Sequence, residues 1–225
     1  MKNSIKLSIC IVICLHISFA SYAQTVGLRA GMSLTNMSMK YEDESMSDDF
    51  KFKPGFMLGT IVDFPVSPAF SIETGLLFTS KGFKMEESDT YMNETMEYKS
   101  KLNLLYLDVP ISVLGRLNVG DKTNLFLSAG PYLGFGLEGK AKTQITSNGQ
   151  TEKDEHDIKF GSDESEDDLK RFDYGLVFGG GVEYGVFQFG VYYEQGLANL
   201  SIASDGNLKM KNKAINFAMT YRIIR

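Results

Sequence analysis

A chain of 225 residues has room for one large domain or two small ones. Its 43% apolar and 23% charged residues exclude wholesale disorder and a polytopic helical membrane protein. The net charge of −5 argues against nucleic acid as a partner, since phosphate binding needs a basic face, and composition alone describes a soluble, acidic, β-rich domain.

Residues 1–23 read as a secretory signal peptide. Lys2 and Lys6 give the positive start, Leu7 to Phe19 the apolar run, and Ser21-Tyr22-Ala23 the small residues before a cleavage site at Gln24. The run is too short for a comfortable transmembrane helix. Both cysteines, Cys10 and Cys14, leave with this segment, so the exported chain has no disulfide, no thiolate nucleophile and no thiolate metal site. His156 is then the sole histidine, and the mature charge is −7, from 21 basic and 28 acidic residues. Residues 24–225 form the expected barrel domain.

From Thr25 onward the pattern has period two, which predicts strands. Val26, Leu28, Ala30, Met32 and Leu34 alternate with Gly27, Arg29, Gly31 and Ser33. Phe56 to Phe64 sets Leu58, Thr60 and Val62 against Met57, Gly59, Ile61 and Asp63. Ile72 to Phe78 opposes Ser71, Glu73, Gly75 and Leu77; Leu105 to Val113 opposes Tyr106, Asp108, Ser112 and Arg116. A fifth run, Leu125 to Leu137, faces away from Ser128, Gly130, Tyr132, Gly134, Gly136 and Glu138. Three more follow: Phe172 to Tyr184, Phe187 to Tyr193 and Ile215 to Ile223, with Asp173, Glu183, Glu194 and Arg222 on their other faces. Pro110 and Pro131 each remove a ladder donor, which predicts bulges or local breaks at both.

Eight strands with alternately long and short links describe an antiparallel up-and-down barrel with every long loop at one end. The long links lie near 40–51, 86–98, 141–170 and 199–212; the short ones lie near 65–68, 118–123 and Gly185. The long links hold 20 acidic and 8 basic residues, net −12, and the remaining mature sequence has a net charge of +5. This is the pattern of a transmembrane β-barrel in the outer membrane, with short periplasmic turns and long external loops. Eight strands leave room inside only for side chains or one small ligand, so the glycine-rich faces must point inward. They carry Arg29, Asp63, Glu73, Asp108, Arg116, Glu138, Asp173, Glu183, Glu194 and Arg222, an expected lumen charge cluster whose members pair across the interior. Tyr174, Tyr184 and Tyr221 at strand ends suit an interfacial aromatic girdle. The rival is a lipocalin-like soluble barrel, which needs the bulky faces inside.

Several segments carry a family resemblance. Leu104-Leu105-Tyr106-Leu107-Asp108-Val109-Pro110-Ile111, Gly130-Pro131-Tyr132-Leu133-Gly134 and Gly27-Leu28-Arg29-Ala30-Gly31-Met32-Ser33-Leu34 resemble segments of PorT-like outer-membrane β-barrel proteins, barrels of the OmpA/OmpX-like eight-stranded kind. Asp173 to Gly181 and Tyr192 to Asn199 are similar to further family segments. The resemblance implies an eight-stranded outer-membrane barrel and implies little about activity; no motif supports carrying over a secretion role.

Nothing along the chain calls for a cofactor or an enzyme. His156 falls in an acidic, non-periodic loop and reads as a solvated residue. The stretch from Glu152 to Asp168 holds nine carboxylates; Asp163, Glu164, Asp167 and Asp168 are weak candidates for a hard divalent cation, without the glycine and terminal Glu of a calcium loop. Gly179-Gly180-Gly181 lies mid-strand and predicts tight packing, not phosphate binding. The expected role is structural or surface-interacting. Its expected partners are outer-membrane lipids and lipopolysaccharide, with an envelope protein or extracellular ligand on the acidic loops; the alternative is a narrow channel or an accessory of transport or secretion.

Overall fold

The computed structural model describes residues 24–42, 44–46, 50–91, 94–147, 150–203 and 207–223; the expected signal segment lies outside them. Among these residues eight long strands close into a ring: β1 (Thr25–Tyr41), β2 (Lys53–Pro65), β3 (Phe70–Lys81), β4 (Glu94–Gly120), β5 (Thr123–Ser147), β6 (Phe172–Tyr184), β7 (Phe187–Gly196) and β8 (Leu208–Ile223). Each pairs antiparallel with the next, and β8 closes on β1 from Val26↔Ile223 to Tyr41↔Leu208. No ladder edge of the ring is left open, which is the condition for spanning lipid with strands. The start of β1 and the end of β8 lie side by side, at the same end as the three short turns. Gly185, at φ 58°, stands in the two-residue turn between β6 and β7 in a conformation that L side chains rarely adopt.

Burial decides which face meets lipid. Leu127 is 75% exposed, Met32 70% and Phe172 69%, while Arg29, Glu73 and Asp173 are almost wholly enclosed. A water-soluble lipocalin-like barrel would show the reverse. On β1 the exposed apolar residues run from Val26 to Leu34 and on β8 from Phe217 to Ile223. At about 3.3 Å per residue and a tilt of about 40°, the β1 run covers roughly 20 Å along the barrel axis and the β8 run roughly 15 Å, within the apolar band of about 25 Å seen on such barrels. Exposed aromatics mark both margins: Tyr184, Phe187 and Tyr221 at the short-turn end, with Phe187 and Tyr221 centroids 5.5 Å apart, and Phe172 and Tyr174 at the other.

Two departures from the sequence expectation matter for the site. The links expected as loops near 86–98 and 141–170 contain β-ladder. Lys84–Tyr91 pairs with the start of β4, the end of β5 continues that sheet, and Gln150–Asp157 pairs with β5 on its far side. With Phe50–Lys51 pairing outside Lys84–Met85, the result is a five-stranded polar sheet standing beyond the barrel. Cross-strand ion pairs lie on it: Lys51–Glu86 at 3.1 Å, Lys142–Glu155 at 2.7 Å and Lys140–Asp157 at 3.5 Å. Lacking an apolar face, these strands show no period-two signal. Second, the two prolines mark a local break in the ladder, as expected, and not a bulge. The β4–β5 ladder skips Ile111 and Ser112 yet keeps its register, with Pro110↔Tyr132 on one side and Val113↔Ala129 on the other. The register shifts fall instead at Leu137, between Leu105↔Glu138 and Tyr106↔Gly136, and at Val119 beside the short turn, between Asn118↔Asn124 and Gly120↔Thr123.

Candidate functional site

The inward faces of the eight strands bring most of the expected charge cluster together, in tiers. Nearest the short-turn end, the Arg116 guanidinium pairs with Asp63 and, through Nε at 3.0 Å, with both carboxylate oxygens of Glu183; its Nη1 donates to Ser71 Oγ at 2.9 Å. Arg222 faces the same two carboxylates at 3.3 Å and 2.8 Å. One level up, Arg29 Nη2 reaches both oxygens of Glu73 at 3.0 Å and Gln188 Oε1 at 3.1 Å, and its Nε donates to Thr220 Oγ1 at 2.8 Å. The guanidinium lies 4.6 Å from the centroid of the Tyr192 ring. Three arginines therefore face three carboxylates, a balanced arrangement in which each charge has a partner.

The upper tier is unbalanced. Lys81 Nζ is the shared cation for Asp108 at 3.0 Å, Asp173 at 3.3 Å and Glu194 at 3.7 Å. Neutral donors supply the rest: Thr79 Oγ1 to Asp108 at 2.6 Å, Tyr132 Oη and Asn212 Nδ2 to Asp173, and Asn216 Nδ2 to Glu194 at 2.8 Å. Tyr106 and Tyr132 enclose the ammonium, their ring centroids 5.0 Å and 4.3 Å from it. Lys53, enclosed near the long-link end, donates to Ser80 Oγ at 3.1 Å and Asn103 Oδ1 at 3.3 Å.

Apolar side chains fill the space between and above these tiers. Met57, Ile61, Leu77, Leu114, Phe126, Val177 and Tyr192 pack in the barrel interior. Over the mouth, Phe83, Leu102, Leu104, Phe160, Leu169 and Leu200 form a second buried cluster, brought there by the links that fold back onto the barrel. A cavity of about 20 Å³ separates the tiers, bordered by Arg29, Asp108, Tyr132 and Glu194. That is room for about one water. Glycines make the filling possible. A Cβ on Gly134 would stand 2.6 Å from Asp108 Oδ1, and one on Gly179 would run into Tyr192.

Of the ten expected lumen charges, Glu138 does not belong. It is exposed on the outer side, because the bulge at Leu137 adds a residue and inverts the inside–outside parity of β5 beyond it. Lys53 and Lys81 were absent from the expected cluster, although continuing the odd-numbered inward positions of β2 and β3 by a few residues reaches both. Asp163, Glu164, Asp167 and Asp168 are not gathered for a cation. Asp163 Oδ1 accepts from Ser165, Asp167 Oδ2 from the Asp163 amide and Asp168 Oδ2 from the Lys159 amide, so the carboxylates organise the turn itself. Among the described residues no group of three or more His, Asp or Glu is placed to hold a metal ion. His156 sits exposed on the projecting sheet opposite Ala141.

A family model for the outer membrane protein β-barrel domain matches residues 22–201. Among solved structures, the chain is similar to Ail, the attachment invasion locus protein of Yersinia pestis, with 16% identity, a TM-score of 0.39 and coverage of 90% of this chain and 100% of that one. Neisserial surface protein A is 11% identical, with a TM-score of 0.44 and coverage of 89% and 97%. The outer membrane protein OprG from Pseudomonas aeruginosa is 11% identical, with a TM-score of 0.45 and coverage of 90% and 97%. No curated protein matches the chain.

Proposed function

This chain belongs to the outer membrane protein β-barrel domain family, and from that premise we propose that it is a non-enzymatic barrel holding an acidic interaction surface at the outer face of the outer membrane. The observation that carries this reading is the filled lumen. Three levels of ion pairs, an apolar layer and an apolar cap occupy the interior, and a cavity for about one water is no path for solutes. The polar sheet beyond the membrane band is where a partner protein or extracellular ligand would dock. Residues 1–23 act as the export signal, and the long-link end faces outward. Within the family, the PorT-like placement rests on the strand segments quoted above.

A second reading, a narrow channel or an accessory of transport or secretion, draws on the upper tier, where three carboxylates share Lys81. Planar-bilayer recording of the refolded chain separates the two. The filled lumen predicts no steady conductance from the wild type. Steady ohmic current that changes when Glu73 or Arg116 is neutralised would overturn the non-conducting reading.

A further inference from the structure

The lumen holds one more carboxylate than it holds cations. The three arginines balance Asp63, Glu73 and Glu183. The upper tier then sets Asp108, Asp173 and Glu194 against Lys81. Lys53 is the one other enclosed ammonium among the described residues, and it turns to Ser80 and Asn103 nearer the mouth. One negative charge is left over even when Lys53 is counted. An enclosed charge without a counter-charge is costly in such surroundings.

Three oxygens of the same tier also lack a hydrogen-bond partner among the described residues: Asp173 Oδ1, Asn212 Oδ1 and the Tyr106 hydroxyl. Asn212 and Tyr106 are 2% and 0% exposed. The Asn212 side chain is turned into the tier, since its Nδ2 donates to Asp173 Oδ2 at 2.9 Å. Tyr106 flanks Gly134 together with Asp108 and Asp173. Two of these three oxygens can only accept, so what the tier lacks is a donor or a cation.

Room for one lies directly against the tier. The cavity of about 20 Å³ is bordered by Asp108 and Glu194, with Ser112 and Tyr132 beside them. The arginine at its border, Arg29, is already held by Glu73 through both carboxylate oxygens. A water would fit the space and leave the charge uncancelled. Magnesium keeps several of its own waters, and calcium gathers more oxygens than this border offers. An alkali cation stripped of its waters matches both the volume and the missing charge, and carboxylate and hydroxyl oxygens are the hard ligands it prefers.

We propose that the upper tier encloses one monovalent alkali cation of about sodium's size, seated in this cavity against Asp108 and Glu194. The ion is a fixed part of the filled lumen, taken up as the barrel closes, and it is independent of whatever docks on the projecting sheet.

The test is urea unfolding of the full mature chain in phosphatidylcholine vesicles at about pH 8, above the ordinary carboxylate range. Sodium chloride is exchanged for N-methylglucamine chloride at constant ionic strength, and heat-modifiable migration reports the folded fraction. Where sodium exceeds its dissociation constant, a tenfold change in sodium should change the folded-to-unfolded ratio about tenfold, the dependence expected for one bound ion. Glu194→Gln keeps an acceptor for Asn216 and removes the extra charge, so the sodium dependence should vanish. Asp108→Asn, which keeps an acceptor for Thr79, should lose it as well and decides the matter if the first variant does not refold. A wild type indifferent to sodium overturns the proposal, because a water or a proton then occupies the tier. Undiminished sodium dependence in the neutralised variants also overturns it, by placing the ion elsewhere.

Discussion

Removing one member of the Arg29–Glu73 pair should cost far more than removing both. Arg29 and Glu73 are each 3% exposed, and Arg29 is the cation that Glu73 meets, through both carboxylate oxygens at 3.0 Å. Arg29→Met leaves a carboxylate enclosed beside Tyr192 and Gln188 without its charge partner. Breaking a buried pair in this way costs about 3–5 kcal/mol. Replacing both, in Arg29→Met/Glu73→Met, removes the uncompensated charge and refills similar volume, so most of the loss returns; the coupling across the double-mutant cycle should be at least about 2 kcal/mol. Thr220 and Gln188 lose a donor in both variants, and that common loss cancels in the cycle. The assay is guanidinium unfolding of vesicle-inserted protein, followed by heat-modifiable migration. With a slope of about 4 kcal/mol per molar guanidinium for a chain of this size, the single variant moves the midpoint down by about 1 M. A single variant within about 0.5 kcal/mol of wild type, or a double variant as unstable as the sum of the singles, would refute the inference that paired charges staple the lumen.

Two further outcomes follow from the outer wall and the projecting sheet. Phe178→Lys places a charge mid-way along β6 on an exposed, lipid-facing position and should lower insertion stability by about 2–4 kcal/mol in bilayers; no loss in bilayers would contradict the assignment of that face to lipid. On the sheet, a hydrogen bond from Lys142 holds the Glu155 carboxyl below its usual range, and one from Lys51 does the same for Glu86. A carboxyl depressed in the folded state contributes stability above its unfolded value, near pH 4, and loses it as pH falls through the folded value. Hydrogen exchange in residues 84–101 and 140–157 should therefore quicken below about pH 4 while β1 and β8 stay protected, and uniform protection across that range would refute the ion pairs' role.

The barrel was legible because its outer wall obeys a period of two over stretches long enough to count, and because link length alternates along the chain. The projecting sheet was not. Gln150–Asp157 is exposed at every residue, so no face is marked by apolarity, and its pairing with β5 depends on ion pairs and backbone hydrogen bonds that leave no periodic trace. Glu138 shows a different limit. Alternation assigns faces only between bulges, and the added residue at Leu137 reverses every later position on β5. No proline or glycine rule located that bulge, since Pro110 and Pro131 both hold register.

Parity and closure contribute different information about the lumen. Alternation alone turns Arg29, Glu73 and Thr220 inward, but it does not place them at one height. Arg29 lies opposite Thr220, 191 positions away, because β8 closes on β1 in that register. Glu73 reaches the same guanidinium from β3, across the interior. A ring of eight strands is narrow enough that inward charges from β1, β3 and β8 meet whenever their heights agree. The ion pairs are thus a consequence of shear and closure acting on an inward pattern, and a shift of one closing register would separate Arg29 from Thr220 while leaving every strand's alternation intact. Selection of the β1–β8 register among its neighbours is where the lumen pairs bear most directly on the fold, and the Arg29–Glu73 cycle measures how strongly they do so.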